Sequence, residues 1–182
     1  MATTVVIQQR DLVETGQGIF YAARPLPITD ASLVAFLKQT ACAIPPRRAR
    51  FCAHPAADAA QHDMLIACHR DSYVPPHRHL DKTESFVVLE GVADVLLFGE
   101  SGKLETVLRM GPLSTGRPFF YRMPARRYHS LSIESEWLVF VESTIGPFRP
   151  DASENAPWAP SPDQMDLGRA FIAAALQSAR GT

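Results

Sequence analysis

Cysteine is scarce. The 182 residues hold three, Cys42, Cys52 and Cys68, an odd number with no C-x-x-C pair. That spacing argues against a disulfide framework and a thiolate zinc site, and it fits a reducing compartment. Excess charge is missing too: 18 Lys and Arg against 19 Asp and Glu leave a net charge of −1. No overall field therefore draws nucleic acid or an acidic membrane. No uninterrupted apolar run reaches the roughly 18 residues needed to span a bilayer. The first residues lack the basic-then-apolar order of a secretory leader. A cytoplasmic protein with neither nucleic-acid nor membrane partners is the expectation. Internal repeats are absent as well. What remains is ordinary globular composition, 46% hydrophobic and 20% charged, in a chain long enough for one domain with a sizeable core.

The pattern along the chain is strand after strand. From Met64 onward, short apolar segments follow one another with turns between them and no helix: Met64 to His69, Tyr73 to His79, Glu84 to Leu89, Val92 to Phe98, Leu104 to Met110, Phe119 to Met123, Tyr128 to Ile133 and Trp137 to Thr144. Gly99-Glu100-Ser101-Gly102 is a hairpin turn by composition. About eight short strands at this spacing predict a sandwich or barrel. Ahead of them, residues 29–41 read as a helix. Thr29 or Asp30 caps it, Leu33, Phe36 and Leu37 form its apolar stripe, and Pro45-Pro46 ends it. Val5-Val6-Ile7 and Ile19-Phe20-Tyr21 read as short strands, at a sheet edge or a dimer contact. Residues 147–162, rich in proline, are expected to lie irregularly over the barrel. Ser161-Pro162-Asp163-Gln164 then opens a helix spanning 162–179, with Leu167, Phe171, Ile172, Ala175 and Leu176 facing a surface.

One stretch carries chemistry: YVPPHRHLDKTESFVVLEG, Tyr73 to Gly91. On a strand, residues two apart share a face, so His77 and His79 point the same way. Glu84 follows five residues after His79, past a polar turn, at the start of the next strand. Two neutral imidazoles and a carboxylate on adjacent strands can meet at one divalent metal ion.

This H-x-H-x4-E-x6-G spacing resembles the first motif of the cupin superfamily, small β-barrels that hold a metal with three histidines and a glutamate. Pro124-Ala125-Arg126-Arg127-Tyr128-His129 is similar to the second cupin motif, P-x-G-x2-H, and implies His129 as the fourth ligand. Three framework positions depart from the pattern. Asp71 stands in place of an opening glycine, Arg126 in place of the glycine of the second motif, and Ile133 in place of its closing asparagine. A narrower likeness runs through RRARFCAHP (47–55), Gln61 with Met64 and Ala67, YVPPHRH (73–79), the Glu84-to-Gly91 stretch, LLFGESG (96–102), MPARRYHS (123–130), ESTIGPF (142–148) and APWAP (156–160). Together these resemble the WbuC family of cupin-fold metalloproteins, over roughly residues 28–162. The resemblance implies an all-β fold, a cupin-type double-stranded β-helix (jelly-roll) barrel with an N-terminal and a C-terminal helix. It divides the chain into an extension (1–27), the barrel with its leading helix (28–162) and a helical tail (163–182). It further implies a homodimer and an association with O-antigen and polysaccharide gene clusters, without naming a reaction.

Three histidines and one carboxylate, His77, His79, His129 and Glu84, suit Fe(II), Mn(II), Ni(II), Co(II) or Zn(II) and leave open positions for water or substrate. The expected partner is a small polar molecule such as a sugar or nucleotide-sugar precursor, and no catalytic residue is assigned. A non-catalytic binding or sensing module, a dioxygenase and an assembly scaffold are the competing readings. Tyr73, by strand parity with His77, is a candidate to offer its hydroxyl to a substrate. Arg126 and Arg127 could meet an anionic one, or be plain turn arginines. Arg47-Arg48-Ala49-Arg50 could grip a phosphate or carboxylate, although a solvated segment is the commoner role of such a run. Glu142 could serve as a base or as a barrel salt-bridge partner. Arg78, between two ligands, should face outward, and Tyr128 should pack. His54, His62 and His69 match no ligand pattern. Phe86, Val88, Leu96 and Phe98 are core candidates for an apolar pocket wall.

Overall fold

In the computed structural model, which describes residues 6–180, the expected hydrophobic alternation becomes two facing sheets. Among the described residues the strands are β1 (Leu12–Gly16), β2 (Ile19–Ala22), β3 (Arg48–Cys52), β4 (Gln61–His69), β5 (Val74–His79), β6 (Glu84–Glu90), β7 (Ala93–Phe98), β8 (Leu104–Met110), β9 (Phe120–Met123), β10 (Tyr128–Ile133), β11 (Trp137–Ile145) and β12 (Ser153–Asn155). Two α-helices, α1 (Ala31–Ala43) and α2 (Met165–Arg180), accompany them. One sheet runs β1-β2-β3-β4-β11-β6-β9 and the other β12-β5-β10-β7-β8.

Strands β4 to β11 pair as nested couples: β4 with β11, β5 with β10, β6 with β9, and β7 with β8. Winding such a ribbon deals its strands alternately into two sheets, which is the jelly-roll, or double-stranded β-helix. The nesting brings residues distant in sequence side by side, so His129 of β10 stands opposite His77 of β5.

Period-2 alternation then sorts the side chains. Between the sheets lie Met64, Ile66, Cys68, Phe86, Val88, Leu138 and Phe140 from one, with Ala93, Val95 and Met110 from the other. The outer face of the first sheet offers Ala49, Phe51, Leu65, Ala67 and Val139, and α1 covers it with Leu33, Leu37 and Ala41. The Asp30 carboxylate caps α1 by accepting from the Ser32 backbone N–H at 2.8 Å. The outer face of the second sheet offers Tyr73, Leu96, Phe98 and Tyr128. Ile172, Phe171, Ala175 and Leu176 of α2 cover it, together with Trp158. Burying a single large apolar side chain of this kind stabilises by about 1.5–3 kcal/mol, so each helix anchors the sheet beneath it.

Several local expectations are corrected. Arg48–Cys52 is a strand rather than a solvated approach to the barrel. It pairs parallel with β2, and α1 forms the crossover that a parallel connection requires. Ile19-Phe20-Tyr21 is the short strand expected of it, and β1 continues the first sheet beyond it. Val6 and Ile7 lie outside any strand; Ile7 is buried and hydrogen-bonded to Ile28, and Val5 falls outside the described residues. The segment expected to be irregular over 147–162 contains β12, which extends the second sheet beside β5. The C-terminal helix begins at Met165, about one turn later than the proline suggested. Ser161 and Gln164 do hydrogen-bond to each other, but in the turn ahead of the helix.

A candidate metal centre in the barrel

His77 and His79 alternate onto the interior face of β5, and β10 delivers His129 opposite His77. One ring nitrogen from each of the three lies within 4.8 Å of the others. Glu84, at the start of β6, reaches the same place. Its Oε2 is 2.9 Å from Nε2 of His79 and its Oε1 is 3.2 Å from Nε2 of His129. His129 and Glu84 are each only 3% exposed.

The outward nitrogens decide what the inward ones can do. Nδ1 of His77 lies 2.9 Å from the Pro75 carbonyl, Nδ1 of His129 lies 2.9 Å from the Arg127 carbonyl, and Nδ1 of His79 lies 2.7 Å from the Ser153 hydroxyl. A carbonyl only accepts, so His77 and His129 must carry their proton on Nδ1, and their Nε2 lone pairs face the cluster. This is the outer arrangement that metal-ligating imidazoles require. Nε2 of His129 is buried and makes no aligned hydrogen bond. An inward, unsatisfied lone pair is costly to bury unless a proton or a cation meets it. The three histidines therefore fit a divalent transition metal, with the Glu84 carboxylate beside two of them.

Electrostatics agree. Burial, with His129 next to it, pushes the His77 imidazole down to about 3, so it stays neutral at ordinary pH. Burial pushes the Glu84 carboxyl up, but the His129 and His79 imidazoles beside it outweigh burial and hold Glu84 well below the usual range. Burial alone would lower His129, yet the Glu84 carboxylate raises it. The centre is anionic and histidine-rich, with a charge that a cation complements.

The cluster lines a cavity of about 220 Å³. Val74, Ile66, Phe86, Leu131 and Phe140 supply its apolar wall, and Arg48, Arg50, Tyr121, Ser130 and Glu142 its polar groups. Tyr121 stacks on Phe86 with centroids 4.9 Å apart and donates to Glu84 Oε1 at 3.1 Å. Burial and the Glu84 carboxylate push its phenol well above the ordinary value. Burial, with Glu84 close, raises the Glu142 carboxyl to about 7. Glu142 stands in no close ion pair among the described residues, and Arg50 and Arg48 act on it only at longer range.

Tyr73 is placed elsewhere. Between Val74 and His77 the β5–β10 register shifts by one residue, at Pro75-Pro76. Such a bulge reverses parity, so Val74 turns inward with the histidines and Tyr73 turns outward. Tyr73 lies under α2 and its hydroxyl donates to the Pro160 carbonyl at 2.8 Å. Arg126 and Arg127 do not line the cavity either. Arg127 pairs with Glu105 at 2.7 Å. Arg126 is exposed and takes the left-handed φ of 66° that the motif's glycine would provide, while its N–H donates to the His79 carbonyl at 2.6 Å. Leu96 and Phe98 pack beneath α2 rather than on the pocket wall. Arg78 faces outward to Glu154 and Glu100, and Tyr128 packs against it with the guanidinium 4.4 Å from its ring centroid. His54 and His62 stack on each other at 4.0 Å, away from the three clustered histidines. Sequence reasoning missed Tyr121, whose strand reads as plain aromatic packing, and Ser153, whose segment reads as loop.

A family model described as a domain of unknown function (DUF6016) matches residues 29–110. No curated protein matches. Solved structures similar to this chain include an uncharacterized protein with a double-stranded β-helix domain from Klebsiella pneumoniae. It shows 13% identity over 60% of this chain and 79% of that one, with a TM-score of 0.46. Oxalate decarboxylase from Bacillus subtilis shows 16% identity over 53% of this chain and 24% of that one, at 0.43. A putative sugar phosphate isomerase from Acidithiobacillus ferrooxidans shows 19% over 48% and 51%, at 0.40. The chain thus spans about half of the last protein's length and about a quarter of the decarboxylase. Nested strand pairing and two facing sheets define the class of protein, a cupin-type jelly-roll barrel. Three histidines inside it form a cluster able to hold a metal ion. Among the described residues no helix is long and apolar enough to cross a membrane.

Proposed function

We infer that the chain binds one divalent transition metal through His77, His79, His129 and Glu84 and uses it to bind or transform a small polar metabolite. The observation that carries the reading is the outward hydrogen bonding of the imidazoles, which turns the Nε2 lone pairs of His77 and His129 toward a common point beside a buried carboxylate. Bound there, the ion would act as a Lewis acid toward a ligand oxygen or lower the pKa of a bound water. The chain's own groups do the rest. Ser153 and two carbonyls orient the rings, Tyr121 holds the Glu84 carboxylate, and Phe86 and Phe140 limit the water that enters. Iron, manganese, nickel, cobalt and zinc all suit the donors.

The motif likeness supports placing the chain with the WbuC family, and thereby near O-antigen or polysaccharide metabolism, with a sugar or nucleotide-sugar precursor as ligand. A cavity of about 220 Å³ lies below the roughly 300–1,000 Å³ of pockets for drug-sized ligands. It favours a monosaccharide-sized molecule or smaller over a whole nucleotide sugar. The competing reading, a binding module without turnover, shares the same site. A homodimer is proposed with it; exposed Phe119 and Phe120 beside the edge strand β9 offer apolar surface for one.

Elemental analysis of the purified protein beside a His77→Ala/His129→Ala variant tests the metal. About one transition metal per parent chain and almost none in the variant is the expected result. A parent that stays empty after incubation with each of the five ions overturns it. Turnover of a substrate panel only by the loaded protein then separates enzyme from binding module.

A further inference from the structure

Strand β3 puts charge where a jelly-roll interior is otherwise apolar. Ala49 and Phe51 face α1, so by alternation Arg48, Arg50 and Cys52 face the other way. The ladder agrees: Arg50 stands opposite Ile66 and Arg48 opposite Cys68, both core residues between the sheets. Cross-strand partners share a face. Both arginines accordingly line the cavity that contains the histidine cluster. Arg48 is exposed at the rim and Arg50 is partly buried behind it.

Neither guanidinium is held in a close ion pair, although Glu142 acts on both at longer range. No carboxylate among the described residues comes within 4.0 Å of either, Glu142 included, although Glu142 lines the same cavity. Nε of Arg50 is buried without a hydrogen-bond partner. Five other arginines are used differently: Arg24, Arg78, Arg127, Arg149 and Arg169 each hold a carboxylate in a close ion pair. An inward guanidinium left unpaired loses hydration without compensation. Its planar fork of donors matches the oxygens of a carboxylate or phosphate. Glu84 is already engaged by His79, His129 and Tyr121, and so it does not neutralise the arginines.

We propose that Arg48 and Arg50 form an oxyanion-binding subsite, so that the ligand of this cavity is a small acid whose carboxylate or phosphate is held by the two guanidiniums while its other end faces the histidine cluster. The proposal rests on the metal-site reading for the second half of that statement only. The arginine grip stands without it. It also narrows the ligand class, since a neutral sugar would leave both arginines unpaired.

The test is calorimetric titration of the metal-loaded protein with malonate, succinate, inorganic phosphate and the neutral polyol erythritol, repeated after chelator treatment. The parent should bind at least one of the oxyanions saturably, ten-fold or more tighter than erythritol, with affinity falling as salt rises. Arg48→Gln and Arg50→Gln should each weaken that binding about ten-fold or more. Whether the dicarboxylates or phosphate binds tighter identifies the anionic group. Erythritol binding as tightly as the oxyanions overturns the proposal, and so does oxyanion affinity that both variants preserve. Should Arg50→Gln fail to fold by circular dichroism, the rim variant Arg48→Gln and the parent's oxyanion-to-polyol ratio still decide. Arginine-dependent binding that survives chelation leaves the subsite standing while the metal reading is judged by its own analysis. Binding that vanishes with the metal yet ignores both arginines places the anion on the metal alone and refutes the subsite.

Discussion

Removing the Ser153 hydroxyl should weaken metal binding without touching a ligand. Of the three outward imidazole contacts, those of His77 and His129 go to backbone carbonyls, and only that of His79 goes to a side chain, Ser153 Oγ at 2.7 Å. With that contact His79 can keep its proton on Nδ1 and turn its Nε2 lone pair inward. In Ser153→Ala the ring is free to carry the proton on Nε2 and donate it to Glu84, 2.9 Å away, a tautomer that cannot ligate. Loss of such an outer partner lowers metal affinity about 10–100-fold. Ser153 itself is exposed, so water replaces part of the lost bond, which puts the loss at the lower end, about ten-fold or ~1.4 kcal/mol. Competition against a chromophoric chelator with zinc or cobalt measures it. Ser153→Thr, which keeps the hydroxyl, should stay near the parent. An alanine variant that binds metal within two-fold of the parent would refute the reasoning, because the ring's orientation would then owe nothing to β12.

Three further outcomes are expected. Gly91 has a φ of 82°, and a Cβ there would meet the Trp137 carbonyl oxygen at 1.9 Å; left-handed strain and backbone displacement should make Gly91→Ala destabilising by about 2–4 kcal/mol in denaturant unfolding. Gly168 lets α2 close on Tyr73, whose ring carbons a Cβ would approach to 2.3 Å. Overpacking there should outweigh the roughly 1 kcal/mol gain in helix propensity, so Gly168→Ala should speed proteolysis of the C-terminal helix. Glu142 concerns pH. Burial and Glu84 raise its carboxyl to about 7 from the ordinary 4.5. Between those values the unfolded chain has lost the proton and the fold retains it, so this contribution is fully present below about pH 4.5 and is lost as pH rises through 7. Glu142→Gln should therefore gain stability over the parent on the order of 1–2 kcal/mol at pH 8 and little at pH 4.5, read from urea melts of chelator-treated protein; equal differences at both pH values would contradict the assignment.

Much of the fold was legible because local rules and tertiary packing agree along the barrel. Leu104–Met110 and Tyr128–Ile133 begin and end where apolar runs and turn residues say they should. Leu33 and Leu37, an i, i+4 pair, are buried as their spacing implies. His77, His79 and Glu84 were legible for the same reason: alternation and one short turn suffice to place neighbours on a common face, and for His129 a second motif supplied the rest. Misreadings cluster where pairing overrides pattern. Arg48-Ala49-Arg50 has the composition of a wet segment, yet β2 and β4 on either side supply its backbone partners and make it a strand. Ser153–Asn155 carries no strand signal and is a strand only because β5 offers an open edge.

What the amino-acid order determined by itself is therefore the all-β character, the two flanking helices and the shared face of His77 and His79, since these depend on contacts within a few positions. What only the tertiary structure decided is which side chains share the cavity. A one-residue register shift at Pro75-Pro76 sends Tyr73 away from the site, and strand addition at both sheet edges brings Arg48, Arg50 and Ser153 to it. Parity along a strand reverses with each inserted residue, and which segment an open edge recruits depends on the whole sheet already being in place.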